Sequence, residues 1–174
     1  ENGDKPSPKA ICMVTPFGHD ATMTAIHLGV EAERTVGVDT LFGLSGRRTL
    51  MKTSVTDEGV CELAQAALSA DGGKVTIIQD SPGFIAQRVI ATIVNISSEI
   101  AQMRIASPPD INKAVKLGLA YLYGPLEFGD YLGAKKIHAI LAAMYDFYGD
   151  PRYRPSPWLT RRAKLGISLM TPEA

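Results

Sequence analysis

Cysteine is scarce: Cys12 and Cys61 are the two in 174 residues. Each lies in an apolar segment, and neither has the close spacing that builds a disulfide framework or a zinc site. This excludes a small disulfide-stapled domain, leaves no metal to expect and fits a reducing cytoplasm. Charge of one sign is also lacking, since eighteen basic residues balance eighteen acidic ones. With no basic face or tail, nucleic acid is excluded as a partner. Apolar runs stop well short of the ~20 residues that span a bilayer, and Glu1 to Pro8 lacks the blocks of a signal peptide, so no membrane partner is expected. No G-x-G-x-x-G unit and no lysine-terminated phosphate loop is present. His19, His27 and His138 stand apart, without metal-ligand spacing or an acid–base partner set. Gly43-Leu44-Ser45 starts like a nucleophile elbow, but Arg47 stands where the second glycine is needed.

What remains is an ordinary globular composition, 45% hydrophobic and 21% charged, with two kinds of periodicity. The leading ENGDKPSP, beginning at Glu1 rather than methionine, reads as a linker over residues 1–8 from a longer protein, with a partner upstream. Residues 9–80 read as α/β. Short β-branched or apolar runs, Lys9 to Thr15, Thr35 to Leu41, Thr49 to Val55 and Lys74 to Gln79, alternate with helices from Ala21 to Leu28 and from Thr56-Asp57 to Ala70. The face expected to be buried on the second helix is Val60, Leu63, Ala64, Ala67 and Leu68.

Residues 81–174 read as all-helical. Ser81-Pro82 predicts a cap for a long helix from Phe84 to about Ile105. Its broad apolar stripe of Val89, Ile90, Ile93, Val94, Ile96, Ile100 and Met103 predicts the buried spine of a bundle. Further helices are expected from Ser107-Pro108 to Gly118, with Ile111, Ala114, Val115 and Leu117 inward, and over Leu126 to Leu132. Two more should run from Ala134 to Tyr148 and from Ser156 to Ile167.

At this point the residues resemble a known family. Asp80-Ser81-Pro82-Gly83-Phe84-Ile85, followed by Arg88, is similar to the D-x-P-G-F-I-x-N-R signature of 3-hydroxyacyl-CoA dehydrogenases. There, a nucleotide-binding domain passes into a helical one. Asp110-Ile111-Asn112, Lys116-Leu117-Gly118, Gly124-Pro125-Leu126-Glu127 with Asp130, and Gly149-Asp150-Pro151-Arg152-Tyr153-Arg154-Pro155 follow in the family's order. The resemblance covers about Asp80 to Gly166. It implies a degenerate, mostly parallel Rossmann-like sheet followed by a bundle like the C-terminal domain of 6-phosphogluconate dehydrogenase. Pro82, Gly83, Phe84, Arg88, Gly124, Pro125, Leu126 and Asp130 are then structural motif residues.

In that family a histidine base removes the proton of the 3-hydroxyl as hydride passes to NAD, a glutamate orients the histidine, and an asparagine positions the thioester. At the matching positions stand Asp39, Met51 (by ungapped counting) and Gln87. The expectation is therefore no catalytic residue and no cofactor in this chain, with NAD held by the parent enzyme and Gln87 as a candidate acyl-CoA contact. The chain resembles the second half of duplicated 3-hydroxybutyryl- and 3-hydroxyadipyl-CoA dehydrogenases. It implies a packing module on the catalytic half of a parent that degrades fatty or aromatic acyl-CoA, and a homodimer when isolated. A standalone acyl-CoA binding or regulatory module is the alternative, and a rearranged enzyme with Asp39 as base is a third reading.

Overall fold

The computed structural model describes residues 10–173; the expected linker over residues 1–8 lies outside them. Contacts divide the chain into two compact units between Ala86 and Gln87. Among the described residues there are four strands and seven α-helices.

The first unit is built from β1 (Cys12–Val14), α1 (Ala21–Leu28), β2 (Thr35–Val38), β3 (Arg48–Lys52), α2 (Glu58–Ser69) and β4 (Val75–Ile78). The sheet order is β1-β2-β3-β4. Each outer pair is parallel and carries a crossover helix, whereas β2 and β3 run antiparallel. The sheet is thus mixed: two strand–helix–strand units joined by one reversal. β2 ends at Val38, short of the expected Leu41. There Asp39 donates its N–H to the carbonyl of Thr49 at 3.0 Å, and its Oδ1 accepts from the N–H of Leu41 at 3.0 Å, the local turn that short carboxylate side chains form.

Alternation along the strands sends side chains to two faces. Val36 and Leu50 pack with Val60, Cys61 and Ala64 of α2. This is a correction to the expected α2 face, because Leu63 is 63% exposed and Cys61 is buried instead. The other face buries Met51 with Ala21 and Phe84, and Ile78 packs against them. Gly37 lies under this cluster: a methyl group there would meet Phe84 Cζ at 3.3 Å and Ala21 Cβ at 3.4 Å. Phe84 reaches this position through a turn in which it and Gly83 both have positive φ, 46° and 79°. The chain therefore stays with the first unit beyond Asp80.

The second unit comprises α3 (Ala86–Gln102), α4 (Pro108–Leu119), α5 (Pro125–Leu132), α6 (Ala134–Tyr148) and α7 (Pro157–Leu165), with a single 3-10 turn at Pro151–Tyr153. Caps explain most boundaries. Ser107 and Ser156 accept from N–H groups of the first turns of α4 and α7, and Gly149 and Gly166 close α6 and α7 in the left-handed conformation. Three expectations are corrected. Ser81-Pro82 does not open α3, because the Gly83–Phe84 turn intervenes. α4 runs through Gly118 and exposes Leu117, its buried positions being Pro108, Ile111 and Asn112. Of the expected stripe of α3 only Val94 is fully buried: Gln87, Ala91, Asn95, Ser97, Ser98 and Ala101 face inward with it, Ile90, Ile93 and Ile100 are half-buried, and Val89, Ile96 and Met103 are exposed. On α6, Ile137, Ile140, Leu141 and Met144 are buried as the spacing predicts, whereas Phe147 is half exposed.

Candidate functional site

The positions matched to the family's base and orienting carboxylate share one face of the sheet. Met51 is paired with Gly37 across β2 and β3, and Asp39 lies two residues beyond Gly37, so the strand alternation directs Asp39 and Met51 to the same side as diagonal neighbours. The chemistry at this place is not that of a proton relay. Met51 has no exposed surface, being enclosed by Ala21, Phe84 and Ile78, and its Sδ accepts the N–H of Ser81 at 3.3 Å. A thioether neither carries charge nor takes up a proton at ordinary pH. Asp39 is buried and turned onto the Leu41 N–H of its own loop. Gln87, the third position, is the first residue of the second unit and fully buried.

The strand-to-helix turns show whether a dinucleotide phosphate would fit, because a free helix N-terminus offers N–H donors and a positive field to an anion. At α1 those donors are taken. Asp80 accepts the N–H groups of Ala21 (2.8 Å) and Thr22 (3.1 Å) and the Thr22 hydroxyl, and Asp20 accepts the N–H of Met23 at 2.6 Å. Two carboxylates fill the seat, and the carboxyl of Asp20 is held above its ordinary range by burial and by the neighbouring charge of Asp80, against the opposing Met23 hydrogen bond. α2 begins with Asp57 and Glu58, again an acidic end. The residues present do not fit a dinucleotide pyrophosphate at either turn.

The remaining motif residues form hydrogen-bonded joints within the second unit. Asn112 Oδ1 accepts the N–H of Leu126 at 3.0 Å, and a methyl group at Gly124 would overlap the Asn112 side chain, so only glycine fits there. Glu127 accepts the N–H of Gly124 at 3.1 Å and pairs with Lys116 at 2.6 Å. Asp130 accepts the hydroxyl of Ser168 and, at 2.8 Å, the N–H of Leu169. Pro125 opens α5 at a position whose lost N–H is not needed. Arg88 donates to the Tyr148 hydroxyl at 2.9 Å and lies over its ring. The segment Gly149 to Pro155 is joined to α3 by Asn95, which donates to the Arg154 carbonyl at 2.9 Å and accepts the Ser156 N–H at 2.8 Å. Periodicity missed Asn95 because it treats an amide as outward-facing. On α7, Arg162 is buried, donates to the Thr171 carbonyl and stacks 3.1 Å over the Trp158 ring.

A mixed sheet with crossover helices is followed by a helical unit with these joints, an α/β piece and then a helical domain. The family model described as "3-hydroxyacyl-CoA dehydrogenase, C-terminal domain" matches residues 83–169, half of the chain, and the chain belongs to that family. It is 33% identical over 155 residues to the 3-hydroxyadipyl-CoA dehydrogenase of Escherichia coli, covering 89% of this chain and 32% of that protein. A probable 3-hydroxybutyryl-CoA dehydrogenase of Bacillus subtilis is 32% identical over 101 residues, 58% of this chain and 35% of the relative. The chain thus spans about a third of these relatives. Among solved structures, the 3-hydroxybutyryl-CoA dehydrogenase of Escherichia coli K12 superposes with a TM-score of 0.78 at 33% identity, over 88% of this chain and 31% of that one. The (S)-3-hydroxybutyryl-CoA dehydrogenase of Ralstonia eutropha superposes at 0.82 over 97% of this chain and 62% of its own; at 20% identity it speaks for the fold alone.

Proposed function

We propose that this chain is a non-catalytic packing module of a larger NAD-dependent 3-hydroxyacyl-CoA dehydrogenase. In this reading the sheet is a Rossmann-like remnant and the helices form a bundle of the 6-phosphogluconate dehydrogenase C-terminal type. The module docks on the catalytic half of its parent in the cytoplasm, completing a pseudo-dimer and walling the cleft for the acyl-CoA. NAD and the proton relay belong to the upstream half. The substrate of the parent is a 3-hydroxyacyl-CoA, the class to which the names of the relatives point.

One observation carries the reading: a fully buried methionine occupies the position matched to the carboxylate that orients the base. Restoring charge there would place it among Ala21, Phe84 and Ile78 with no cationic partner described beside it. The test is an assay of the chain with acetoacetyl-CoA and NADH, for which no oxidation of NADH above the buffer rate is expected. Turnover that disappears in Asp39→Asn would instead make Asp39 a base and overturn the proposal. Calorimetric titration with acetoacetyl-CoA separates the standalone binding module, which would show micromolar affinity without any upstream half.

A further inference from the structure

α3 closes on an arginine in a conformation that favours glycine. Arg104 has a φ of 57°, and Ile105 returns its N–H to the Ile100 carbonyl at 3.1 Å, the closure in which glycine is the usual residue. α1, α6 and α7 close on glycine and α4 on alanine. A long side chain at such a position carries strain, and strain of this kind persists where the side chain is used. Arg104 stands at the mouth of a cavity of about 630 Å3, a size that holds small molecules. The buried part of the lining is apolar: Ala101, Pro108 and Trp158. Ile105, 69% exposed, adds an apolar wall. Glu173 completes the mouth. Its carboxylate lies between two guanidiniums, Oε2 3.9 Å from Arg104 Nη2 and Oε1 3.4 Å from Arg161 Nη1. Both distances exceed the roughly 2.7–2.9 Å of a close charge-assisted hydrogen bond, and the two arginine side chains are 81% and 61% exposed, so the pairing is loose and screened by water. The other charges are committed. Asp110, also on the lining, is engaged by the Ser107 hydroxyl at the positive end of α4, and Arg162 stacks on Trp158 and donates to the Thr171 carbonyl.

We propose that this cavity binds a small amphipathic carboxylate. Its anion takes the place of Glu173 between Arg104 and Arg161, and its apolar body lies against Ala101, Pro108 and Trp158. Glu173 acts as an internal competitor and sets the specificity. An anion without an apolar body, such as acetate, meets a seat that is already filled, whereas a carboxylate with an alkyl chain adds burial that Glu173 does not supply. A neutral or cationic molecule of the same shape leaves the Arg104–Glu173–Arg161 arrangement in place and gains no charge contact. α3, with 17 residues and a length of about 25 Å, separates this cavity from Gln87 at the other end of the helix. The site is therefore distinct from the candidate acyl-CoA contact and does not rest on it.

Trp158 is the one tryptophan of the sequence, so its emission reports on this cavity. Titration of the chain with hexanoate should give a saturable change with a Kd of about 1 mM, and hexylammonium, of the same length and opposite charge, should give none. Glu173→Gln should tighten hexanoate binding about threefold by removing the competing charge. Arg104→Gly should weaken it about tenfold with an unchanged or higher melting temperature, because glycine suits the left-handed position; the two readouts together separate a lost ligand contact from a lost fold. Saturation-transfer NMR on hexanoate reads binding to which the emission is silent. No binding to either the unaltered chain or Glu173→Gln by both methods, hexylammonium binding as well as hexanoate, or full affinity in Arg104→Gly would each overturn the proposal. None of these outcomes bears on the NADH assay, which decides the non-catalytic reading separately.

Discussion

Asp39 and Met51 in the first unit, and Asn112, Gly124 and Asp130 among the helices of the second, are the positions that the sequence reading matched to one family, and the structure holds the two groups in different ways. The difference lies in what each side chain is required to do. Met51 is held by packing, beneath Phe84 and against Ala21 and Ile78. Asn112 and Asp130 satisfy backbone N–H groups of Leu126 and Leu169, and losing them would leave polar groups unpaired in the structure.

The comparison can be broken most directly at Met51. Met51→Glu should cost about 4 kcal/mol at pH 8, on the order of three pKa units for a carboxylate in an apolar enclosure. The sign follows from its pKa being raised in the folded chain: stability should recover as pH falls toward 5 and be lost as pH rises. Urea titrations at the two pH values check it, and a variant as stable as the parent chain would mean that the site is still open to charge. Gly124→Ala should cost about 3 kcal/mol, since a packed amide stands where the methyl group would go; the denaturation midpoint would fall without gain of any function. Asn95→Leu removes the joint to Arg154 and Ser156 and should cost about 2 kcal/mol by leaving two backbone groups without partners, read as a lower melting temperature.

The smallest effect is expected at Asp20. Its folded pKa is raised, by burial foremost, so the ionised form opposes folding above that pKa and the opposition fades as pH falls through it toward the ordinary 3.8. Asparagine caps a helix as well as aspartate. Asp20→Asn should therefore match or exceed the parent chain in stability at pH 7, with the gap closing near pH 4. A clear loss at pH 7 would show that the charge itself is needed at the α1 end.

Much of the fold was legible because local physics decides it. Gly29 and Gly149 end helices where the sequence predicts, Gly166 ends α7 two residues earlier than expected, and α1 and α6 have the predicted bounds. The four strands lie where the β-branched runs are, shortened at their ends, because a strand persists only where a neighbour pairs with it. Periodicity misjudged α3, Leu63 and Leu117 for a common reason: apolarity is read as burial, while burial also depends on which neighbour is close enough to cover the residue.

The sequence alone determined the element types, the caps at Ser107 and Ser156 and the order of the family motifs, since these depend on residue types and on side chains acting on their own backbone within a few residues. Only the tertiary structure decided that β2 and β3 run antiparallel, that Met51 is sealed beneath Phe84, that Asp20 and Asp80 share the α1 end, and that α3 turns its amides inward. Each of those depends on groups distant in sequence competing for the same space or the same hydrogen-bond donor. No local pattern records the winner.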